Sequence, residues 1–153
     1  PEMKNKIILL EIIIYDNTVE KKVNNVINEK YNDIVNKYGK DVIIIEEREK
    51  FIVPEQLALF SLCNVLLVLQ IWRGVCTLAN QFIALQNENK FFGMVISESI
   101  GVSTNIKSVI RINPFDSGKI VEAIEKIYSR PFSEIKLNFE KDFEFIKNNS
   151  LGS

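Results

Sequence analysis

The chain has 153 residues, 46% hydrophobic and 25% charged, with a formal net charge of −1. That size suits one domain with a substantial core, and so small a charge provides no long-range field to gather nucleic acid or an anionic membrane. Histidine is absent and Cys63 and Cys76 are the only cysteines, so imidazole metal ligands, histidine-based triads and a disulfide framework are excluded, and neither a metal nor a cofactor is expected.

Lys6 to Tyr15 is an almost unbroken Ile/Leu run, the pattern of a strand buried on both faces as in a parallel sheet. Asn17 followed by Glu20 suits the start of a helix. On that helix Val19, Val23, Val26, Ile27, Ile34, Val35 and Tyr38 recur at three- and four-residue spacing, until Gly39 stops it. Asp41 to Glu46 reads as a short strand, and Pro54 starts a helix through Leu57, Phe60 and Leu62. Val65 to Leu69 is another buried strand. The apolar stretch Leu57 to Ile71 is broken by Ser61, Asn64 and Gln70 and falls short of the roughly 20 residues of a membrane span. No membrane partner is therefore expected, and a cytoplasmic location is.

Gly74 to Leu85 reads as a loop opening into a helix with Leu78, Phe82 and Leu85 inward. Phe91 to Ser97 and Val109 to Ile112 are further strands. Asp116 caps a helix burying Ile120, Val121, Ile124 and Ile127, and Ser133 caps a last helix with Ile135, Phe139, Phe143 and Ile146 inward. The charged runs Glu46 to Lys50 and Lys119 to Lys126 read as solvated faces. Strand alternating with helix implies an α/β, Rossmann-like, mostly parallel sheet with helices on both faces, over residues 1–150. Residues 151–153 read as a flexible tail or cloning scar. Ligands of such folds sit beyond the carboxyl ends of the strands, which directs attention to the loops after Tyr15, Glu46, Gln70, Ser97 and Ile112.

Those loops carry a series that resembles the trehalose-6-phosphate synthase family. Leu59-Phe60 and Asn64-Val65-Leu66-Leu67-Val68 are similar to an Ala-Leu-Tyr helix running into Asp-Val-Ala-Leu-Val. Trp72-Arg73-Gly74-Val75-Cys76-Thr77-Leu78-Ala79-Asn80-Gln81-Phe82 resembles Arg-Asp-Gly-Met-Asn-Leu-Val-Ala, one variable residue, and Glu-Phe. Ile83-Ala84-Leu85-Gln86 resembles Val-Ala-Cys-Gln. Val95 to Gly101 is similar to Leu-Ile-Leu-Ser-Glu-Phe-Ala-Gly, and Ile112-Asn113-Pro114-Phe115-Asp116 to Val-Asn-Pro-Trp-Asn. Their order and spacing over residues 6–130 carry the likeness.

The resemblance implies the C-terminal, nucleotide-sugar half of a two-domain retaining glycosyltransferase. The family moves glucose from UDP-glucose to glucose 6-phosphate without a metal. It also implies donor-binding positions at Arg73, Gly74, Val75, Cys76, Thr77, Leu78, Gln81 and Glu98. There the family's sugar-binding carboxylate is Arg73, its Asn is Cys76, and its ribose-binding Glu is Gln81. Arg73 accepts no hydrogen bond from a sugar hydroxyl, and loss of one charged hydrogen bond costs about 1.5–3 kcal/mol. No residue maps onto the family's phosphate-binding Arg and Lys, so no catalytic residue is expected, and UDP or UDP-glucose is expected to bind weakly. A pseudoenzyme with a structural or regulatory role is one reading; an anion- or nucleotide-binding module without transferase activity is another.

Four site residues stay open on sequence. Arg73 is a solvated loop arginine or an anion ligand. Cys76 is a small buried residue or a thiol activated by a helix N-terminus. Trp72 packs or stacks on a ligand, and Glu98 is a turn residue or a donor contact. The doubly wound order 3-2-1-4-5-6 assigns the run from Lys6 to the second strand, leaving the central strand without a counterpart. The remainder of a longer synthase chain, a second copy, or direct pairing of the runs at Ile7 and Val65 would fill that slot.

Overall fold

The structure is a computed structural model, described over residues 7–14, 21–48, 52–71, 73–87, 90, 92–101 and 105–149. The side chains of Ile14, Lys21 to Asn24, Arg48, Arg73 and Val75 lie outside the described part. The chain divides into two compact units, Pro1–Ile52 and Val53–Ser153.

The first unit holds β1 (Leu9–Ile14), α1 (Lys21–Tyr38) and β2 (Ile43–Arg48). The strands are parallel, from Leu9 opposite Ile43 to Ile14 opposite Arg48, so α1 is the crossover that parallel pairing requires. Gly39 adopts φ 98° and its N–H donates to Val35 O at 2.9 Å, the left-handed stop expected of a glycine there. The half-buried stripe of α1 is Ile27, Tyr31, Ile34 and Val35. Val26 and Tyr38, expected inward, are 57% and 47% exposed. Val26 lies about 100° around the helix from Ile27, and Tyr38, in the last turn, has the Lys37 ammonium 5.0 Å above its ring. β2 runs two residues further than expected: Glu46, Glu47 and Arg48 pair through their backbones with Ile12, Ile13 and Ile14, while the Glu47 side chain stays exposed, as a solvated face requires. The Asn17–Glu20 cap, Val19 and Tyr15 lie outside the described residues.

The second unit runs α2 (Val53–Leu62), β3 (Val65–Val68), β4 (Arg73–Val75), α3 (Thr77–Ala84), β5 (Gly93–Ser97), β6 (Ile100–Gly101), β7 (Val109–Ile112), α4 (Ser117–Ser129) and α5 (Phe132–Asn148). β3, β5 and β7 form a parallel sheet in the order β3-β5-β7. All five residues of central β5 are buried. Successive strand side chains point to opposite faces, and the packing follows that alternation. Met94 and Ile96 join Phe60, Ala79, Phe82, Ile83, Phe92 and Ile135 on the face of α2, α3 and α5. Val95 joins Ile112, Ala123 and Ile127 on the face of α4. Parallel strands covered on both faces, the expected α/β class, are what the structure has. A Cβ added to Gly93 would lie 2.7 Å from Ile127 Cγ2, so only glycine lets α4 approach the start of β5 this closely. Among the described strands, β1 pairs with β2 and β3 with β5.

Three helical expectations need correction. On α4, Asp116 is the N-cap as expected, accepting from Lys119 N at 3.0 Å, but Val121 is 54% exposed and Ala123 takes its buried place. On α5 the N-cap is Pro131, not Ser133: its carbonyl accepts from Glu134 N and Ile135 N at 3.0 and 3.2 Å. The inner face of α5 carries Ile135, Phe139, Asp142, Phe145 and Ile146, while Phe143 is 41% exposed. Asp142, although charged, is fully buried and accepts from Lys107 N at 2.6 Å and Ser108 N at 2.8 Å. Two backbone donors at the start of β7 thus hold a carboxylate that would otherwise be costly to bury.

Candidate functional site

The loop after β3 was expected to be a turn opening directly into a helix. Instead Arg73, Gly74 and Val75 form β4, parallel to β6, with Arg73 opposite Ile100 and Val75 opposite Gly101 across an irregular register. Cys76 N extends the pairing by donating to Gly101 O at 2.9 Å. This short strap joins the segments that follow β3 and β5 at the carboxyl edge of the sheet. It therefore brings the backbone of Arg73 to Cys76 beside that of Ile100 and Gly101, within two of the segments singled out from sequence.

α3 starts at Thr77, three residues after Gly74. Its N-cap is Cys76, in extended conformation and with no side-chain capping bond, and no acidic residue lies in the first turn. The first N–H groups of a helix have no intrahelical partners and carry the positive end of its dipole. Cys76 is 2% exposed and belongs to the core, which removes it as an accessible nucleophile. Thr77 is exposed, and Leu78 is half-buried against the same core. Glu98 is exposed and its N–H donates to Ile112 O at 2.8 Å. The Asn113 to Asp116 turn is braced by Asn113 Oδ1, which accepts from Phe115 N at 3.0 Å, and leaves Phe115 76% exposed. Trp72 and the side chain of Arg73 lie outside the described residues.

Gln81 is one turn into α3 and half-buried. Its Oε1 accepts from Gln56 Nε2 of α2 at 2.8 Å. Nothing in the sequence pairs residues 56 and 81, so Gln56 was not legible as a neighbour of the site. α2 and α3 lie against each other. Phe60 and Phe82 meet edge to face at 5.7 Å. Beyond them buried Gln86 donates from Nε2 to Phe60 O at 2.8 Å and Phe82 O at 3.1 Å. Lys90 Nζ donates to Ser61 O at 2.5 Å and Cys63 O at 2.8 Å. Of these acceptors, Phe60 O and Ser61 O are C-terminal carbonyls of α2, which lack intrahelical partners. Partial burial lowers the Lys90 ammonium from the usual lysine value, with the nearby Cys63 opposing it. Burial raises the Cys63 thiol, with Lys90 opposing. Among the described residues, no three Cys, Asp or Glu side chains gather in a way that would hold a metal ion.

The family model described as glycosyltransferase family 20 matches residues 1–153. Trehalose-6-phosphate synthase of Sodalis glossinidius is 29% identical over 93 residues, covering 61% of this chain and 20% of the relative. The UDP-forming alpha,alpha-trehalose-phosphate synthase of Candida albicans is 26% identical over 98 residues, or 64% of this chain and 20% of its own. Among solved structures, a UDP-forming trehalose-phosphate synthase from Burkholderia xenovorans superposes with a TM-score of 0.85 at 20% identity, over 99% of this chain and 35% of its own. An E. coli structure bound with UDP-2-fluoro glucose gives 0.85 at 18% identity, over 98% and 34%. The chain thus spans about a fifth of the length of these curated relatives and about a third of these solved chains.

Proposed function

Because this chain belongs to glycosyltransferase family 20, we propose that it is the donor-side segment of a trehalose-6-phosphate synthase-like glycosyltransferase, and that these residues alone do not catalyse transfer. The family reaction, glucose from UDP-glucose to glucose 6-phosphate in trehalose biosynthesis, needs a nucleotide-sugar grip. The observation that carries the proposal is the start of α3. The backbone turn and the uncapped helix end are present, whereas the side chains that would hold sugar and ribose are Arg73, Cys76 and Gln81. Cys76 is buried, and Gln81 already spends an acceptor site on Gln56. The segment then serves structure or regulation in the cytoplasm. No helix among the described residues is long and apolar enough to cross a membrane.

A second reading is favoured by the same helix end. α3 lacks both a side-chain cap and first-turn carboxylates, so its N–H groups suit an anion. This would make the segment a module for UDP or another phosphate compound without sugar selectivity. The doubly wound order further suggests that the central strand comes from elsewhere, from the remainder of a longer synthase chain or from a second copy. β1 is paired only with β2, and β3 only with β5, among the described strands. Calorimetric titration with UDP, UDP-glucose and glucose 6-phosphate separates the readings. Silence with all three is expected of the structural role. UDP binding unaffected by the glucose marks the anion module. UDP-glucose binding tighter than UDP would contradict both.

A further inference from the structure

α5 turns Ile135, Phe139, Asp142 and Ile146 inward, yet three large apolar side chains of the same helix stay open: Phe132 is 48%, Leu137 50% and Phe143 41% exposed. They are not scattered. At roughly 100° per residue, Phe132 and Phe143 share one line along the helix, which also takes in the Phe139 ring, 5.5 Å from that of Phe143. Lys136 and Glu140 come next around the helix, and Leu137 lies beyond them. Along the axis the midpoint between Phe132 and Phe143 falls at residues 137–138, and so does the midpoint between Lys136 and Glu140. A face built this way reads the same in both directions, with its charges exchanged.

We infer that this outer face of α5 is a self-association surface, occupied by α5 of a second copy of the chain in antiparallel contact about a two-fold axis at residues 137–138. In that arrangement Phe132 meets the second copy's Phe143 and Lys136 meets its Glu140, each pair occurring twice, while Leu137 meets its own counterpart beside the axis. Within each helix Lys136 and Glu140 are also i, i+4 neighbours, so four charges alternate around the axis. A parallel pairing would set lysine against lysine and glutamate against glutamate, so the charges select the antiparallel one. A two-fold contact closes on itself and makes a dimer, not a filament. Half of a phenylalanine's roughly 200 Å² from each of four rings gives about 400 Å², to which the leucines add. That is well below the roughly 1,200 Å² at which standard stable interfaces begin, so the dimer is weak, with a dissociation constant on the order of 100 µM. It involves neither the start of α3 nor the order of the strands, and stands apart from the donor-side reading.

Sedimentation of the chain from about 10 µM to about 1 mM tests this, on the wild type, Lys136→Glu, Glu140→Lys, the double exchange and Phe143→Ser. The wild type should pass from monomer to dimer across that range and go no further. Each single charge variant gathers four like charges about the axis and should weaken the dimer about tenfold. The double exchange restores both pairs and should return to within about threefold of the wild type. Phe143→Ser, which removes two of the four rings, should weaken it about tenfold or more. The substituted side chains are exposed or half-buried, and a far-UV spectrum and urea midpoint matching the wild type confirm folding. A wild type still monomeric at about 1 mM, growth beyond the dimer, or single charge variants that associate like the wild type overturns the inference. A double exchange as weak as the single variants overturns it too, because Lys136 and Glu140 then do not face each other.

Discussion

At the amino edge of the β3-β5-β7 sheet, buried polar side chains are spent on backbone partners. Asp142 holds Lys107 N and Ser108 N, Gln86 holds Phe60 O and Phe82 O, and Gly93 lets Ile127 close over the first residue of β5. At the carboxyl edge the same unit leaves a helix start without a side-chain cap, an exposed Glu98 and an exposed Phe115. In an α/β fold the first edge secures stability and the second is where ligands are met. Substitutions that weaken a ligand site therefore need not touch the packing, and this chain superposes with a TM-score of 0.85 on a synthase structure with which it shares 20% identity.

If this division holds, the largest stability losses belong to the amino edge. Asp142→Ala leaves two backbone donors without a partner and opens a void, and should cost about 2–5 kcal/mol in urea unfolding. A loss under about 1 kcal/mol would mean the carboxylate is not the latch of α5. Gly93→Ala forces Ile127 to move from a 2.7 Å contact and should cost about 1–3 kcal/mol. Lys90→Met strips the donor from the end of α2 and should cost about 1 kcal/mol. At the opposite edge, Glu98→Gln and Phe115→Ala should each shift stability by no more than about 0.5 kcal/mol. A large loss there would erase the contrast between the edges.

Thiol chemistry sharpens the comparison within the same helix pair. Burial holds the Cys63 thiol above its usual value, so it is protonated at neutral pH and should alkylate more slowly than a free cysteine in the same buffer. The sign follows for stability. A thiol that binds its proton more tightly when folded contributes stability fully below the unfolded value, and that contribution is lost as pH rises through the raised folded one. The lowered Lys90 ammonium acts oppositely: its own contribution to stability rises as pH climbs through the window just below the usual lysine value. Alkylation of Cys63 as fast as a free cysteine would show that α2's C-terminal end opens readily.

The sheet was legible because its signals are local. Val65 to Leu69 and Val109 to Ile112 are short β-branched runs, Gly39 stops a helix where a left-handed residue is needed, and Asp116 caps the next one. What escaped were features that depend on distant partners. Arg73 to Val75 looks like a turn because its strand partner is a two-residue piece at Ile100 and Gly101. Asp142 looks like a solvent-facing charge because the donors that bury it lie 34 and 35 residues away. Ser133 resembled a helix cap more than Pro131 did, yet proline's fixed φ suits the residue that precedes the first turn. The segments of the candidate site were legible as loops beyond strand ends, and the strap that joins two of them was not. Neither was Gln56, since a helix–helix amide pair leaves no periodic trace.

We propose that these residues keep the donor-side fold without the transferase chemistry. Release of UDP from UDP-glucose in the presence of glucose 6-phosphate tests it most directly, measured on the chain alone and on Arg73→Asp with Gln81→Glu. No UDP release above the buffer rate is expected from either protein, because on the resemblance no residue here corresponds to the family's Arg and Lys on the donor phosphates. Sustained UDP release by the unaltered chain that requires glucose 6-phosphate would contradict it.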